Sequence, residues 1–411
     1  MFGRWMVPLA GLVVGSALVV APVAADEVDA ASVAVEEPVG AGEPEDDGKD
    51  GDAGEGGLLP TWHLTEGLTF TPSMRIQVRY SYGLNPADPD HNFQLRRFRL
   101  KGKGDIYGLA KYYAELKIDG TGFVESPTAR MENGWVEFNK LPYTNLRLGL
   151  YDIPFSRNAL TSDSKLLFMN RSLIKAALTS VGFADNTIGA LFHEVVLDGR
   201  LGYGVGIFQN NRFKKLPTVA GRFALHLLDR GKTQRSRGSY ANYRGSYIGE
   251  GQRLEIGANA AYTPKATIES ATAPDAKFDV YAVGGDVFFN MGRFTIQGEY
   301  DWYKMSVFGA TPDVEQKGGY VQAGVLLTRG ESPWIPPIEL AVRYQDIDGG
   351  ELAIPDLGVT LPDGGRRQAA EVGLNFYIRD HNLKVQTNYS YLDSERSGTS
   401  NVYELQLQLD F

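Results

Sequence analysis

Residues 401–411 read NVYELQLQLDF, and from Tyr403 onward they alternate without a break. Tyr403, Leu405, Leu407, Leu409 and Phe411 share one parity; Glu404, Gln406, Gln408 and Asp410 share the other. Successive side chains of a strand point to opposite faces, so this is a strand with one apolar and one polar face. The sequence then stops on an aromatic residue of the apolar face. That ending predicts a transmembrane barrel of the outer-membrane type, in which the last strand pairs with the first. The edge strand of a soluble sandwich is the competing reading, because alternation is a weak signal in any one segment.

The same period of two runs through the body of the chain. Met74, Ile76, Val78, Tyr80 and Tyr82 alternate with Arg75, Gln77, Arg79 and Ser81. Leu254, Ile256, Ala258, Ala260 and Tyr262 repeat the pattern, as do Ala370, Val372, Leu374, Phe376 and Ile378. About sixteen strands are expected, at 73–83, 95–103, 108–119, 130–139, 144–151, 186–195, 200–209, 218–228, 252–262, 278–289, 293–304, 318–328, 337–346, 367–378, 382–392 and 402–411. Many have the length that a tilted strand needs to cross a bilayer. Tight turns fall around Gly104, at Leu141-Pro142, at Asp198-Gly199, at Met291-Gly292 and at Asp380-His381. In strand order all of them lie at the rim that carries both ends of the barrel, which in this class faces the periplasm. The opposite connections are longer, and 152–185 is the longest. Two connections, 229–251 and 329–336, are long on the short-turn rim and break the rule.

No stretch after the N-terminus is apolar for long enough to form a spanning helix, so a membrane location requires a closed barrel. The chain has no cysteine, which excludes thiol catalysis, Cys-ligated zinc and disulfides. Residues 1–25 read as a signal peptide: Arg4, an apolar run from Val7 to Val20, and Val23-Ala24-Ala25 as the small-residue cleavage site. Residues 26–57 hold 12 acids, one Lys and no aromatic residue, and read as a disordered acidic periplasmic spacer. The formal net charge is −9, of which the spacer carries −11 and residues 1–25 carry +1, leaving +1 for the barrel at 58–411. An isolated Lys or Arg at mid-bilayer costs about 2–4 kcal/mol, so the charged faces of the strands are expected to line a wet lumen. Sixteen strands leave room for an aqueous channel.

Two stretches carry candidate pathway residues. In NFQLRRFRLKGK (92–103), Phe98 and Leu100 face lipid, which turns Arg97, Arg99 and Lys101 inward. The phase breaks upstream, so a bulge is expected near Arg96. With Arg75 and Arg79 on the preceding strand, five cations line one wall, balanced by acids such as Glu115, Asp119 and Glu137. The second stretch, 151–185, lacks alternation and follows the fifth strand. It is expected to fold into the lumen as a long third loop, with Leu166, Leu167 and Phe168 anchoring it to the wall. Arg157, Lys165, Arg171 and Lys175 outnumber Asp163 there.

A recognisable set of motifs runs through these stretches: Leu95-Arg96-Arg97-Phe98-Arg99-Leu100, Glu137-Phe138, LRLGLYDIPFS from Leu146 to Ser156, Leu160-Thr161-Ser162, Phe168-Met169-Asn170-Arg171-Ser172, and Ile188-Gly189. In them the chain resembles the phosphate-selective porin O and P family of outer-membrane channels. The resemblance implies a bacterial outer-membrane homotrimer of sixteen-stranded barrels with an inward-folded third loop. It further implies, for the phosphate-selective members, a ladder of arginines leading to a lysine-bearing constriction; Arg97, Arg99 and Lys165 are the matching positions. The near-balanced charge of the body departs from that pattern.

The expected function is therefore a water-filled channel for passive diffusion of small solutes, with anions such as phosphate moving past Arg75, Arg79, Arg97, Arg99, Lys101, Arg157, Lys165 and Arg171. A non-selective general porin, and a barrel-anchored structural or adhesive envelope protein, remain as alternatives. Neither cofactor nor metal is expected. In 85–92 (NPADPDHN), Asp88, Asp90 and Asn92 are spaced as in calcium loops, but the glycine and terminal acid are missing, so a plain loop is favoured. The basic and aromatic stretch 229–253 suggests an anion-attracting turn or a contact with the acidic spacer; nucleic acid is not an expected partner. The histidines His63, His91, His193, His226 and His381 are scattered, and neither a Ser-centred elbow nor HExxH occurs, so no catalytic role is assigned.

Overall fold

The computed structural model describes residues 59–84, 90–119, 128–210, 216–228, 240–268, 276–307, 313–330, 334–349, 353–354, 359–360 and 365–411. The expected signal peptide and acidic spacer lie outside these residues. So do Asp88 of the 85–92 loop and Arg230, Lys232, Arg235 and Arg237 of the 229–253 stretch.

Sixteen strands follow one another around the sheet: β1 (Leu68–Gly83), β2 (Asp90–Ile106), β3 (Ala110–Asp119), β4 (Thr128–Phe138), β5 (Asn145–Asp152), β6 (Asn186–Val196), β7 (Leu201–Phe208), β8 (Thr218–Leu228), β9 (Gln252–Ile268), β10 (Ala276–Met291), β11 (Phe294–Val307), β12 (Val314–Thr328), β13 (Ile338–Gly349), β14 (Arg367–His381), β15 (Leu383–Ser394) and β16 (Gly398–Asp410). Each pairs antiparallel with the next. β16 pairs with β1, with Leu405 opposite Tyr80, Leu407 opposite Val78 and Asp410 opposite Arg75, so the sheet closes into a barrel. Closure leaves no open edge among these strands, which is what a sheet in lipid requires. A short strand, Trp62–Thr65, folds back on the start of β1.

Burial follows the sequence parity. Leu405, Leu407, Val342 and Tyr344 are exposed on the outside, whereas Gln406, Gln408, Arg343 and Glu371 are buried on the inside. The expected bulge is present: Gln77 pairs with Arg97 and Val78 with Leu95, so Arg96 is the extra residue. One turn is displaced from its expected position. Gly104 lies within β2, where its lack of a side chain admits the Thr69 carbonyl and the Tyr112 ring. The turn comes later, at Tyr107 and Gly108, which take φ of 53° and 62°.

The interior is not uniformly wet, contrary to expectation. On the side of β6 to β13 an apolar cluster joins Leu191, Phe208, Ala220, Phe278, Met305 and Ile347 of the strands to Phe155, Ile174, Leu178, Val181 and Phe183 of the 153–185 connection. The inward parity of these strands changes from polar to apolar where the connection packs. Short windows of alternation do not distinguish that change from an ordinary lumen face.

Candidate functional site

The 153–185 connection holds two short helices and a single 3-10 turn. Ser156 accepts a hydrogen bond from the Ala159 amide (3.1 Å) and so caps α1, Arg157–Leu160. The 3-10 turn spans Asp163–Lys165. Ser172 starts α2, Leu173–Ser180, which buries Ile174, Ala177 and Leu178 along one stripe. Between them Leu166, Leu167 and Phe168 are buried, as expected of anchors. Their carbonyls are held by distant strands: Asn375 Nδ2 donates to Leu167 O (3.0 Å) and Lys384 Nζ to Leu166 O (3.3 Å). Gln408 Nε2 donates to Ser164 O (3.1 Å), and the Leu173 amide donates to Gln345 Oε1 (2.8 Å). All of these partners share the polar, buried parity of β13, β14, β15 and β16.

Of the eight sequence-derived pathway residues, Arg75, Arg99, Lys165 and Arg171 line one cavity; Arg79, Arg97 and Lys101 are tied to acids of the charge network without lining it, and Arg157 is buried with Glu255 and Asp286. Arg75 pairs with Asp410 at 2.7 Å, and Lys101 meets the same carboxylate at 3.1 Å. Arg79 pairs with Glu404 at 3.0 Å and donates to Asn170 Oδ1 (2.7 Å) and Met169 O (3.2 Å). Arg97 pairs with Asp163 at 3.0 Å and Arg99 with Glu115 at 3.2 Å. Arg157 is fully buried, 2.6 Å from Glu255, between the rings of Tyr243 and Phe288, each 4.3 Å from its guanidinium. Arg171 pairs with Asp163 at 2.9 Å and donates to the carbonyls of Asn158, Ala159 and Thr161. Lys165 Nζ lies 3.4 Å from Asn242 Oδ1.

Asp163 is thus the hub. Two guanidiniums from different elements share its carboxylate. Burial alone would raise its pKa, but Arg171, Arg97 and Arg75 outweigh burial and hold it well below the usual carboxylate range. Burial and the neighbouring Arg171 push Lys175 down.

Beside this network lies a cavity of about 430 Å³. Its lining runs along the inner wall from Thr69 and Asp105 near the short-turn rim to Asp152 and Asn186 near the other. Arg75, Arg99, Arg147 and Lys165 line it, and so do Glu115, Glu137 and Asp163, so both signs of charge face the space. Three contributors escaped the sequence reading. Trp135 stacks on Tyr113 with ring centroids 5.6 Å apart, and Arg147 lies 4.1 Å over its ring while pairing with Glu137 at 2.6 Å. Tyr240, Asn242 and Tyr243 reach the cavity from the 229–251 connection. The hints of that last contribution were its length and its basic and aromatic composition, neither of which places it against the cavity. Among the described residues no cluster of three or more His, Asp or Glu is placed to hold a metal ion.

The fold has clear counterparts. The anion-selective porin from Comamonas acidovorans superposes with a TM-score of 0.57 at 12% identity, covering 84% of this chain and 100% of that one. The outer-membrane channel DcaP of Acinetobacter baumannii gives 0.54 at 12% identity, over 86% and 100%. The trimer form of OmpT from Vibrio cholerae gives 0.53 at 11% identity, over 84% and 100%. These similarities establish the barrel architecture. An uncharacterized protein of Aquifex aeolicus (strain VF5) is 24% identical over 286 residues, spanning 65% of this chain and 64% of that relative. A family model described as "Phosphate-selective porin O and P" matches residues 73–411. That match covers all but the first few residues of the barrel, and the chain belongs to the phosphate-selective porin O and P family, a bacterial outer-membrane β-barrel porin.

Proposed function

We propose that this porin is a passive diffusion channel in which anions, phosphate among them, are modestly favoured over cations. We further propose that 153–185 is folded into the lumen as its constriction loop. The observation that carries the proposal is the cavity along β1 to β6, whose wall presents Arg75, Arg99 and Arg147 opposite Lys165 and Arg171 of the loop. An anion there exchanges part of its hydration for guanidinium and ammonium donors. Each of the four guanidiniums is already shared with a carboxylate, so binding stays weak and release stays fast. Arg75, Arg79 and Arg97 then have a double role: they tether the loop through Ser162, Asn170 and Asp163, and with Arg99 they set the potential of the wall. Dispersal of charge over fixed pairs makes the preference smaller than an unpaired arginine ladder would give. The general-porin alternative is the limit in which pairing is complete. A barrel serving only as an anchor is not favoured, because the cavity extends along the wall.

The assembly proposed is a homotrimer with both chain ends at the periplasmic rim, residues 1–25 removed as a signal peptide and 26–57 left as an acidic periplasmic spacer. The OmpT structure of the same architecture is a trimer form, which supports the first point. The test is the reversal potential of purified protein in planar bilayers under a KCl gradient, with phosphate added as a competitor. A potential of the sign set by chloride, with chloride current reduced by phosphate, is expected. A cation-selective potential would remove the anion reading and leave the porin.

A further inference from the structure

The described part of the long connection on the short-turn rim, residues 240–251, is packed against inward residues of β7, β8, β9, β10 and β13, among other strands. Tyr240, Tyr243 and Tyr247 are all buried. Tyr240 lies over β7, whose inward positions are Gly202, Gly204, Gly206 and Phe208. A Cβ at Gly204 would stand 2.6 Å from the Tyr240 ring, and one at Gly202 would stand 3.5 Å from its carbonyl. Gly202 and Gly204 leave room on this part of the strand face, and Tyr240 occupies it, while Phe208 closes over Gly206. The Tyr243 hydroxyl accepts from Arg222 Nε (3.0 Å). Tyr247 meets Phe288 edge-on at 5.4 Å, with Arg253 4.0 Å over its ring. Ser246 Oγ donates to Glu339 (2.9 Å), and Asn290 Nδ2 donates to Glu250 O (2.9 Å). At its tip the segment touches the other connection: the Gly245 amide donates to Lys165 O (2.8 Å), and a Cβ at Gly245 would collide with the Leu167 amide.

We propose that 240–251 is a second wall of the constriction, inserted from the rim opposite to 153–185 and docked on it, and that Tyr240, Asn242 and Tyr243 set the size limit of the pore. The inference rests on the reading of 153–185 as the inward loop. A loop tied at one rim narrows a barrel at one height. Two segments meeting at Gly245 and Lys165 extend the narrow zone toward the periplasmic side and confine solutes to a cleft against β1 to β6. The inserted face is phenolic and amide, and it faces the charged wall across the cavity. Solutes are therefore selected by width between a neutral edge and an ionic one. Tyr240 also accounts for a feature that charge alone does not explain, the glycines at 202 and 204 on the inward face of β7.

The cysteine-free chain makes the test direct. Asn242→Cys and Ser162→Cys each introduce a single thiol, one on each segment, and both positions are partly accessible. Single-channel current is recorded before and after a bulky thiosulfonate reagent. A fall of about half or more with both variants is expected if both segments border the narrow zone. A fall with Ser162→Cys alone overturns this inference and leaves the constriction loop standing. No fall with Ser162→Cys, whatever Asn242→Cys does, removes the inward-loop reading and the two-walled constriction with it. Tyr240→Ser gives an independent check: a folded variant should conduct about twofold more and admit larger neutral sugars in liposome swelling. A folded variant with unchanged current and unchanged size limit also overturns the inference.

Discussion

Asp163→Asn tests the charge logic of the pore. The carboxylate lines the cavity and pairs with Arg97 at 3.0 Å and Arg171 at 2.9 Å. The amide is nearly isosteric, so the main change is one negative charge removed while two guanidiniums remain. For an ion passing about 6 Å away, Coulomb's law gives about 0.7 kcal/mol at the dielectric constant of water and about 2.8 kcal/mol at an effective value of 20. The watery limit is the safer choice for a conducting pore. Chloride is then favoured by about 0.7 kcal/mol and potassium disfavoured by the same amount, which shifts the permeability ratio about tenfold toward anions. The assay is the reversal potential of wild type and variant under the same KCl gradient, repeated at higher ionic strength, where screening should shrink the difference. A shift toward cations, or none at low salt in a variant that still conducts, would refute the network as the source of selectivity.

Other perturbations separate structure from conduction. Arg157→Ala removes the guanidinium partner of buried Glu255, while Asp286 keeps Arg222 at 2.7 Å, and should cost about 3–5 kcal/mol, read as a lower temperature for loss of the folded band on semi-native gels. Phe168→Ala removes a buried ring beneath Arg343 and should cost about 3–5 kcal/mol of loop anchoring, seen as faster proteolysis within 153–185 and noisier single-channel current. Because the Asp163 pKa is depressed, its contribution to holding the loop is complete above the ordinary carboxylate value of 3.8 and is lost only as pH falls through its lower folded value. The selectivity difference between wild type and Asp163→Asn should therefore hold steady from neutral pH down to about pH 4, and loss of that difference between pH 5 and 7 would contradict the assignment. Gly204→Leu should unseat Tyr240 and raise conductance without opening the barrel, measured as current against folded yield.

The barrel was legible because its physics is local. Each strand announces itself by parity, and the alternation of long and short connections fixes its direction, so Leu405 and Gln406 suffice to assign two faces. The bulge at Arg96 was legible for the same reason, since one residue out of phase has nowhere else to go. Pairing was harder to see. Arg97 and Asp163 are far apart in sequence, and period-two patterning carries no information about which acid meets which base. Counting charges gave a near-neutral lumen; only the fold shows that the cations are tied down one by one. The inserted tyrosines were missed because their signal lies on another element. Gly202 and Gly204 of β7 are the imprint of Tyr240, yet glycines in a strand also mark bulges and bends.

The hydrogen bond from Gln408 to the Ser164 carbonyl joins positions 244 residues apart, and the Arg75–Asp410 contact joins positions 335 apart. Such contacts impose an order of events on assembly. The 153–185 segment is made long before β14 to β16, which supply the donors for Leu166, Leu167 and Ser164. It has no complete docking surface until the final strands arrive. The channel should therefore acquire its bore late, after most of the hairpins have formed, and the approach to that state should be slow, as expected for a topology dominated by distant contacts. A chain truncated before β16 loses more than one strand of wall, because the 153–185 segment is then left without part of its mooring.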